Sequence, residues 1–336
     1  MAARSGGGAT MSQVQTITGP VESADLGRTL SHEHLCSGMA AMERVPGLFD
    51  EDAALQRNIE ALQRTYDAGI RTIVDCTPID LGRQIGLFER VAGETPMQVV
   101  VATGVYRWIP LAYHMWDADY MAEYFLRDLQ DGIEGTSIRA GIIKLAWDME
   151  YQLTDGGFRS PREQMEKCAR GAARAAKAAG VPITCHTRAV DELGTPLLEI
   201  FEDEGLDLRA VTIGHTNDSE DMDYVLGLAA RGATVGLDRF FSAEDDYVAR
   251  KAGVALALVE GGYAEQTCLG HDAAAYSLSG GPTNGGPRPF NPECWLLVSD
   301  VQVPWLRDHG VSDDDVEALL TRSVRATFEA AAAMAD

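Results

Sequence analysis

The segment TLSHEH, residues 29–34, places two of the chain's seven histidines one residue apart at the end of an apolar stretch. In a β-strand, residues i and i+2 face the same side. His32 and His34 can therefore aim both imidazoles at one point while Glu33 faces away. Two converging imidazoles are a metal-ligand pair or a coincidence, and the motif alone does not decide. Other apolar runs also end in ionisable groups: Lys144 in AGIIKLAW, His186 in ITCHT, His215 in TIGHT, Asp238 and Arg239 in GLDR, and Asp272 in CLGHD. An unpaired ammonium in an apolar strand is driven toward its neutral amine. That amine can take up carbon dioxide as a carbamate, an anionic group whose two oxygens can bridge two divalent cations. A lysine that reaches past the strand end, or pairs with Asp148, is the plainer alternative. The rest have plain alternatives too: satisfied core histidines at 186 and 215, a helix N-cap at Asp272, a surface ion pair at Asp238 and Arg239. Together these alternatives need a separate reason for every polar strand end, whereas one binuclear metal site accounts for all of them.

The elements that must position these groups alternate along the chain. Short β-branched runs fall at 28–34, 71–77, 98–104, 139–146, 181–187, 210–216, 233–239 and 266–272. Segments of helical periodicity fill the gaps, several opening with Asp or Ser and closing with Gly. Eight such units predict parallel strands joined by crossover helices and closed into a (β/α)8 TIM barrel. No GxGxxG follows the first strand, which argues against a dinucleotide-binding sheet. In a barrel the polar strand ends form the C-terminal rim, where active sites lie. His271 should point away from Asp272, and His114 and His309 fall outside strands. The Gly- and Pro-rich stretch 276–293 reads as a loop over the site or a tolerated insertion. The aromatics of 106–125 line a pocket, form a dimer interface or fill space beneath a loop.

The chain's 336 residues, 46% hydrophobic, suffice for a large core, and no interior domain boundary is visible. Residues 1–12 read as a disordered tail and 13–336 as one barrel domain. A net charge of −23 argues against nucleic-acid or anionic membrane partners. No run approaches the roughly 18 apolar residues of a membrane span, and MAARSGGGAT is not a secretory signal. Six cysteines without CxxC spacing read as reduced thiols of a cytoplasmic protein.

The HxH, the lysine on strand four, the histidines on strands five and six and the aspartate on strand eight together resemble the phosphotriesterase family of the amidohydrolase superfamily. ITGPV, LGRTLSHEH, VDCTPIDLGR and VPWLRDHGVSDDDVEALL extend the resemblance from about Val14 to Phe328. It implies that His32, His34 and Asp272 hold one divalent metal and His186 and His215 the other, with carbamylated Lys144 and a hydroxide bridging them. Zinc is the expected metal, with cobalt, manganese or iron also suited to such ligands. ATGVY, with Tyr106, and GLDRF, with Arg239, look more like the lactonase-like branch. The resemblance therefore implies a homodimeric hydrolase of a small lactone or ester. Asp272 would shuttle the proton, Tyr106 and Arg239 would orient the substrate, and Asp238 would relay protons or orient its neighbours. Phosphotriester hydrolysis, amide or carbamate cleavage, and a metal-containing binding protein without turnover are the alternatives. The segments WDMEYQLTDGGFRSP and AAAYSLSGGPTNGGPRPFNPE, and Ser323-Val324 in place of Asn-Pro, depart from the lactonases.

Overall fold

A computed structural model describes residues 12–148, 161–278 and 295–335. Residues 1–11 of the proposed tail (1–12) and most of both long loops (149–160 and 279–294) lie outside these residues, whereas Ser12 is buried and its carbonyl accepts the Ser23 N–H. An N-terminal antiparallel hairpin, β1 (Gln13–Thr16) and β2 (Gly19–Glu22), precedes the barrel. The barrel strands are β3 (Thr29–Ser37), β4 (Thr72–Asp75), β5 (Gln98–Gly104), β6 (Ile142–Trp147), β7 (Ile183–Thr187), β8 (Val211–Gly214), β9 (Thr234–Leu237) and β10 (Thr267–Leu269). Every neighbouring pair is parallel and runs in chain order, as expected of βαβ units. The eighth strand breaks at His271-Asp272 and resumes as β11 (Ala274–Ser277). Its first half pairs with β9 and its second with β3, which closes the ring into a (β/α)8 barrel.

The expected helices form, and two of them carry the expected aspartate caps. The first, α1 (Glu51–Asp67), is capped by Asp50 accepting from Ala53 N–H. Two shorter helices are α2 (Ile85–Val91) and α3 (Ala118–Gln130), the latter capped by Asp117 accepting from Tyr120 N–H. Behind them, α4 (Pro161–Ala179) turns Ala169, Ala172, Ala173 and Ala176 inward, so the Ala-rich run is a close-packing face.

Two cores result. Outward strand residues such as Ile73, Val99, Val101, Ile143, Ile213 and Leu237 pack beneath the helices. Inward residues Val74, Val100, Ala102, Ile142 and Cys268 fill the barrel floor, sealed by Val14 of the hairpin, by Leu26 and by Val324 and Phe328. The aromatics of 106–125 mostly fill space: Tyr113 stacks on Trp116 at 4.2 Å, and Tyr124 packs beside both. Only Tyr106 and its neighbour Arg107 reach the rim cavity.

Candidate metal centre

On β3 the pairing steps from Leu30–Ile73 to Glu33–Asp75, three residues against two. This bulge adds one residue to the strand and re-aims the side chains beyond it. Ser31 thus faces the barrel floor with Thr184, Thr212 and Thr234, while His32 and His34 both face the rim cavity above. Glu33 points outward. Lys144 enters from β6, where Gly104 lies opposite it in register. Gly104 has φ +128°, and a Cβ there would lie 1.9 Å from the Lys144 carbonyl oxygen, so only glycine lets these strands pair beside the lysine.

His32, His34, Lys144, His186, His215, Asp238 and Asp272 are all buried at this rim. Asp238 ties two of them together. Its Oδ2 lies 2.5 Å from His32 Nδ1; its Oδ1 lies 2.8 Å from His215 Nδ1 and accepts the His215 backbone N–H at 2.7 Å. A carboxylate facing both Nδ1 atoms fixes the tautomer with the proton there, leaving each Nε2 lone pair free. Gly214 permits this approach, because a Cβ at 214 would lie 2.8 Å from Asp238 Oδ2. Burial alone would raise the Asp238 carboxyl. The imidazoles of His215 and His32 outweigh burial and hold it well below the ordinary carboxylate range.

The imidazoles themselves stay neutral. Burial lowers His32, reinforced by the positive charge of Lys144; burial, then Arg239, takes His215 well below its ordinary value. One donor atom each from His32, His215 and Asp272 lie within 4.8 Å of one another. Lys144 Nζ stands 2.8 Å from His32 Nε2, and among the described residues no carboxylate lies within ion-pair distance of it. Neutral, pre-oriented imidazoles beside a carboxylate are the donor set that divalent transition metals take. The residues therefore fit the expected metals.

The three clustered donors come from both of the ligand sets that sequence resemblance implied. His34 adjoins them through Nε2, 3.1 Å from Asp272 Oδ1, and its Nδ1 is 2.8 Å from Thr77 Oγ1. His186 stands further out. Its Nε2 faces Asp148 Oδ2 at 3.0 Å and Arg107 Nη2 at 2.8 Å, and its Nδ1 faces the Tyr106 hydroxyl at 3.2 Å. Burial pushes His186 down to about 3, against the opposing hydrogen bond to Asp148. Asp148 does not pair with Lys144; it binds Arg107 at 2.9 Å instead. Nor are Asp238 and Arg239 an exposed pair: Arg239 turns to Asp218, and its Nε is 3.5 Å from Asp272 Oδ2.

The cavity above these groups measures about 250 Å³ and is walled by Tyr106, Arg107 and Arg239. Burial raises the Tyr106 phenol, so it remains a hydrogen-bond donor at neutral pH. Arg107, Thr77 and the Glu33–His271 pair were not anticipated. Arg107 carried one signal, a charge set among aromatic and apolar residues directly after Tyr106. His271 does face away from the cavity, as expected, and its Nδ1 lies 2.7 Å from Glu33.

The sequence profile of the phosphotriesterase family matches residues 12–328. A phosphotriesterase homology protein of Mycobacterium tuberculosis (strain ATCC 25618 / H37Rv) is 34% identical over 330 residues, covering 95% of this chain and 98% of the relative. An aryldialkylphosphatase of Saccharolobus solfataricus is 30% identical over 313 residues, covering 92% and 96%. An N-acetyltaurine hydrolase of Rattus norvegicus is 24% identical over 259 residues, covering 68% and 72%.

Proposed function

The chain belongs to the phosphotriesterase family, and from that premise we propose that it is a binuclear-metal hydrolase of lactones or related carboxylic esters. The observation that carries the proposal is the buried cluster of His32, His215 and Asp272, its imidazoles fixed by Asp238, opening into the rim cavity. In this reading His32, His34 and Asp272 hold one cation and His186 and His215 the other. Lys144, as a carbamate, would supply oxygen ligands to both. When bound, two divalent cations supply Lewis acidity that polarises a substrate oxygen and makes water a nucleophile near neutral pH.

The chain's own groups supply the rest. Asp272 takes the proton of the attacking water and hands it to the departing alkoxide, a general base turned general acid. The Arg239 guanidinium beside it draws the carboxylate toward one side of the cavity. The Tyr106 hydroxyl, kept protonated by burial, donates to the substrate carbonyl or leaving oxygen. Asp238 holds His32 and His215 in the tautomer that metals require.

Two further readings have support in relatives' names. The aryldialkylphosphatase favours phosphotriester hydrolysis at the same site, and the N-acetyltaurine hydrolase favours amide cleavage. Turnover of an acyl-homoserine lactone, an aryl ester, a phosphotriester and an N-acyl amide by zinc-loaded protein ranks them. The lactone or aryl ester is expected to lead, and inertness toward all four refutes hydrolase function. The five buried free thiols among the described residues suit a reducing compartment, and a cytoplasmic location is part of the same proposal. Homodimerisation rests on family resemblance alone, and light scattering checks it. Among the described residues no helix is long and apolar enough to cross a membrane.

A further inference from the structure

The barrel floor carries hydroxyls that the metal centre does not use. Register sets Thr184 beside Lys144, Thr212 beside Thr184 and Thr234 beside Thr212, a row on adjacent strands leading away from the lysine. Register partners in a parallel sheet share a face, and these threonines turn inward with Ser31 onto a cavity of about 20 Å³. Val74, Ile142 and Phe328 fill in its walls. Thr184 and Thr212 are 6% and 7% exposed, whereas their strand neighbours Ile183, Cys185, Val211 and Ile213 are fully buried, so the residual area faces the cavity. Thr234 and Thr327, the latter from the C-terminal helix Ser323–Ala332, also line an open groove at the strands' N-terminal ends. The cavity therefore lies one layer of side chains from solvent.

The hydrogen bonds of these groups leave a definite remainder. Ser31 Oγ donates its one hydrogen to the Leu269 carbonyl at 3.0 Å. Thr327 Oγ1 donates to the Ser323 carbonyl at 2.9 Å, so in its 2.8 Å contact with Thr234 the Thr234 hydroxyl is the donor. Ser31 and Thr234 thus offer only lone pairs to the cavity. Thr184 and Thr212 keep their hydrogens: among the described residues neither hydroxyl donates to a protein acceptor. Buried hydroxyls left in that state are costly and rare. One water has two hydrogens and two lone pairs, the complement of two acceptors and two donors. The cavity exceeds the roughly 10–15 Å³ that one water needs.

We propose that this cavity is a water site: one water, accepting from Thr184 and Thr212 and donating to Ser31 and Thr234, ties β3 to β7, β8 and β9 beneath the metal centre. Ser31 directly precedes His32, and Thr184 is the register partner of Lys144, so the water braces two strands that carry groups of the rim. Nothing in this depends on the reaction that the rim performs.

A high-resolution crystal structure of the metal-free wild type is expected to show one ordered peak, about 2.5–3.0 Å from both Thr184 and Thr212 Oγ1. No peak, or a peak that misses either threonine, refutes the proposal. Several oxygen neighbours at about 2.4 Å would mark a cation and overturn it too. Thr184→Val and Thr212→Val keep the branched shape and remove one donor each. Each should lower the folding constant about fivefold in denaturant titrations, the effect of one net hydrogen bond. Together they should cost clearly less than the product of about 25-fold, because the second substitution acts on a water already lost. The peak should also vanish from crystals of the double variant. Full additivity, single variants as stable as wild type, or a peak that persists in the double variant refutes the shared water.

Discussion

Asp238→Asn is the sharpest test of the metal centre. The carboxylate faces three N–H donors: both imidazole Nδ1 atoms at 2.5 and 2.8 Å, and the His215 backbone at 2.7 Å. An isosteric amide offers one oxygen and one NH2, so whichever imidazole meets the NH2 confronts a donor with a donor. That ring relieves the clash by moving its proton to Nε2, which removes the lone pair a metal needs. Loss of such an orienting group costs about 10–100-fold in metal affinity, or about 1.4–2.7 kcal/mol. The metal-free protein also loses a charged acceptor, worth about 1.5–3 kcal/mol, which a domain of ordinary stability survives. Chelator-stripped protein titrated with zinc against a chromophoric competitor measures the affinity, and circular dichroism melting checks the fold. If the Asn variant is folded and binds zinc within twofold of wild type, Asp238 does not set the tautomers and does not pre-orient the site.

Lys144→Ala is expected to lose most bound metal and activity while keeping the barrel, and intact-mass spectrometry of gently handled wild type should find one added carbon dioxide. Full turnover by the alanine variant refutes the bridging role. Gly214→Ala places a methyl against Asp238 Oδ2 and, at 2.9 Å, the Cys185 carbonyl; overpacking should cost about 1–3 kcal/mol and lower zinc content, and unchanged melting and metal content would contradict the packing. Asp80 accepts the N–H groups of Tyr106 and Trp108 at 2.7 and 2.9 Å, and burial pushes its carboxyl up to about 6. Its folded pKa lies above the unfolded value, so the folded state holds the proton longer and stability falls as pH rises from about 4 to 6. Asp80→Asn lacks this loss, so its stability relative to wild type should improve by about 2 kcal/mol across that window in denaturant titrations; a constant difference refutes the assignment.

Much of this arrangement was legible in the chain because it breaks a rule. Lys144, His186, His215 and Asp272 end runs that are otherwise apolar, and burial makes polar groups there costly without a shared purpose. Strand order followed from strict alternation, and the rim followed from strand order. What stayed hidden depends on contacts distant in sequence. Asp238 is 206 residues from His32, and nothing local says that one carboxylate serves two rings. The bulge at residues 30–33 left no signal in the alternation of TLSHEH, because Ser31 is small and polar enough to face the floor beside threonines. The break in strand eight was not legible either: the apolar run reads as ending at Asp272, yet the strand resumes at Ala274 beyond Asp272, whose φ is +52°. Arg107 was masked by the aromatics around it.

The outward face of the same β3 strand explains how that break is held. Glu33, between the two cavity-facing histidines, accepts the His271 backbone N–H at 2.9 Å, the His271 Nδ1–H at 2.7 Å and the Ala273 N–H at 3.3 Å. These donors lie on either side of Asp272, so the carboxylate grips the backbone flanking a residue whose left-handed conformation costs about 1–3 kcal/mol. Val298 N–H donates to His271 Nε2, which fixes the other end of the ring and keeps the proton on Nδ1. Burial drives Glu33 well above its ordinary range, opposed by the Ala273 and His271 N–H groups, and pushes His271 down to about 3. A fully buried acid of this kind is costly and is retained only where its hydrogen bonds do something apolar packing cannot. Here they clamp strand eight to strand one at the point where the barrel closes. The middle residue of the HxH motif therefore positions Asp272 from behind, while its neighbours meet it from the front.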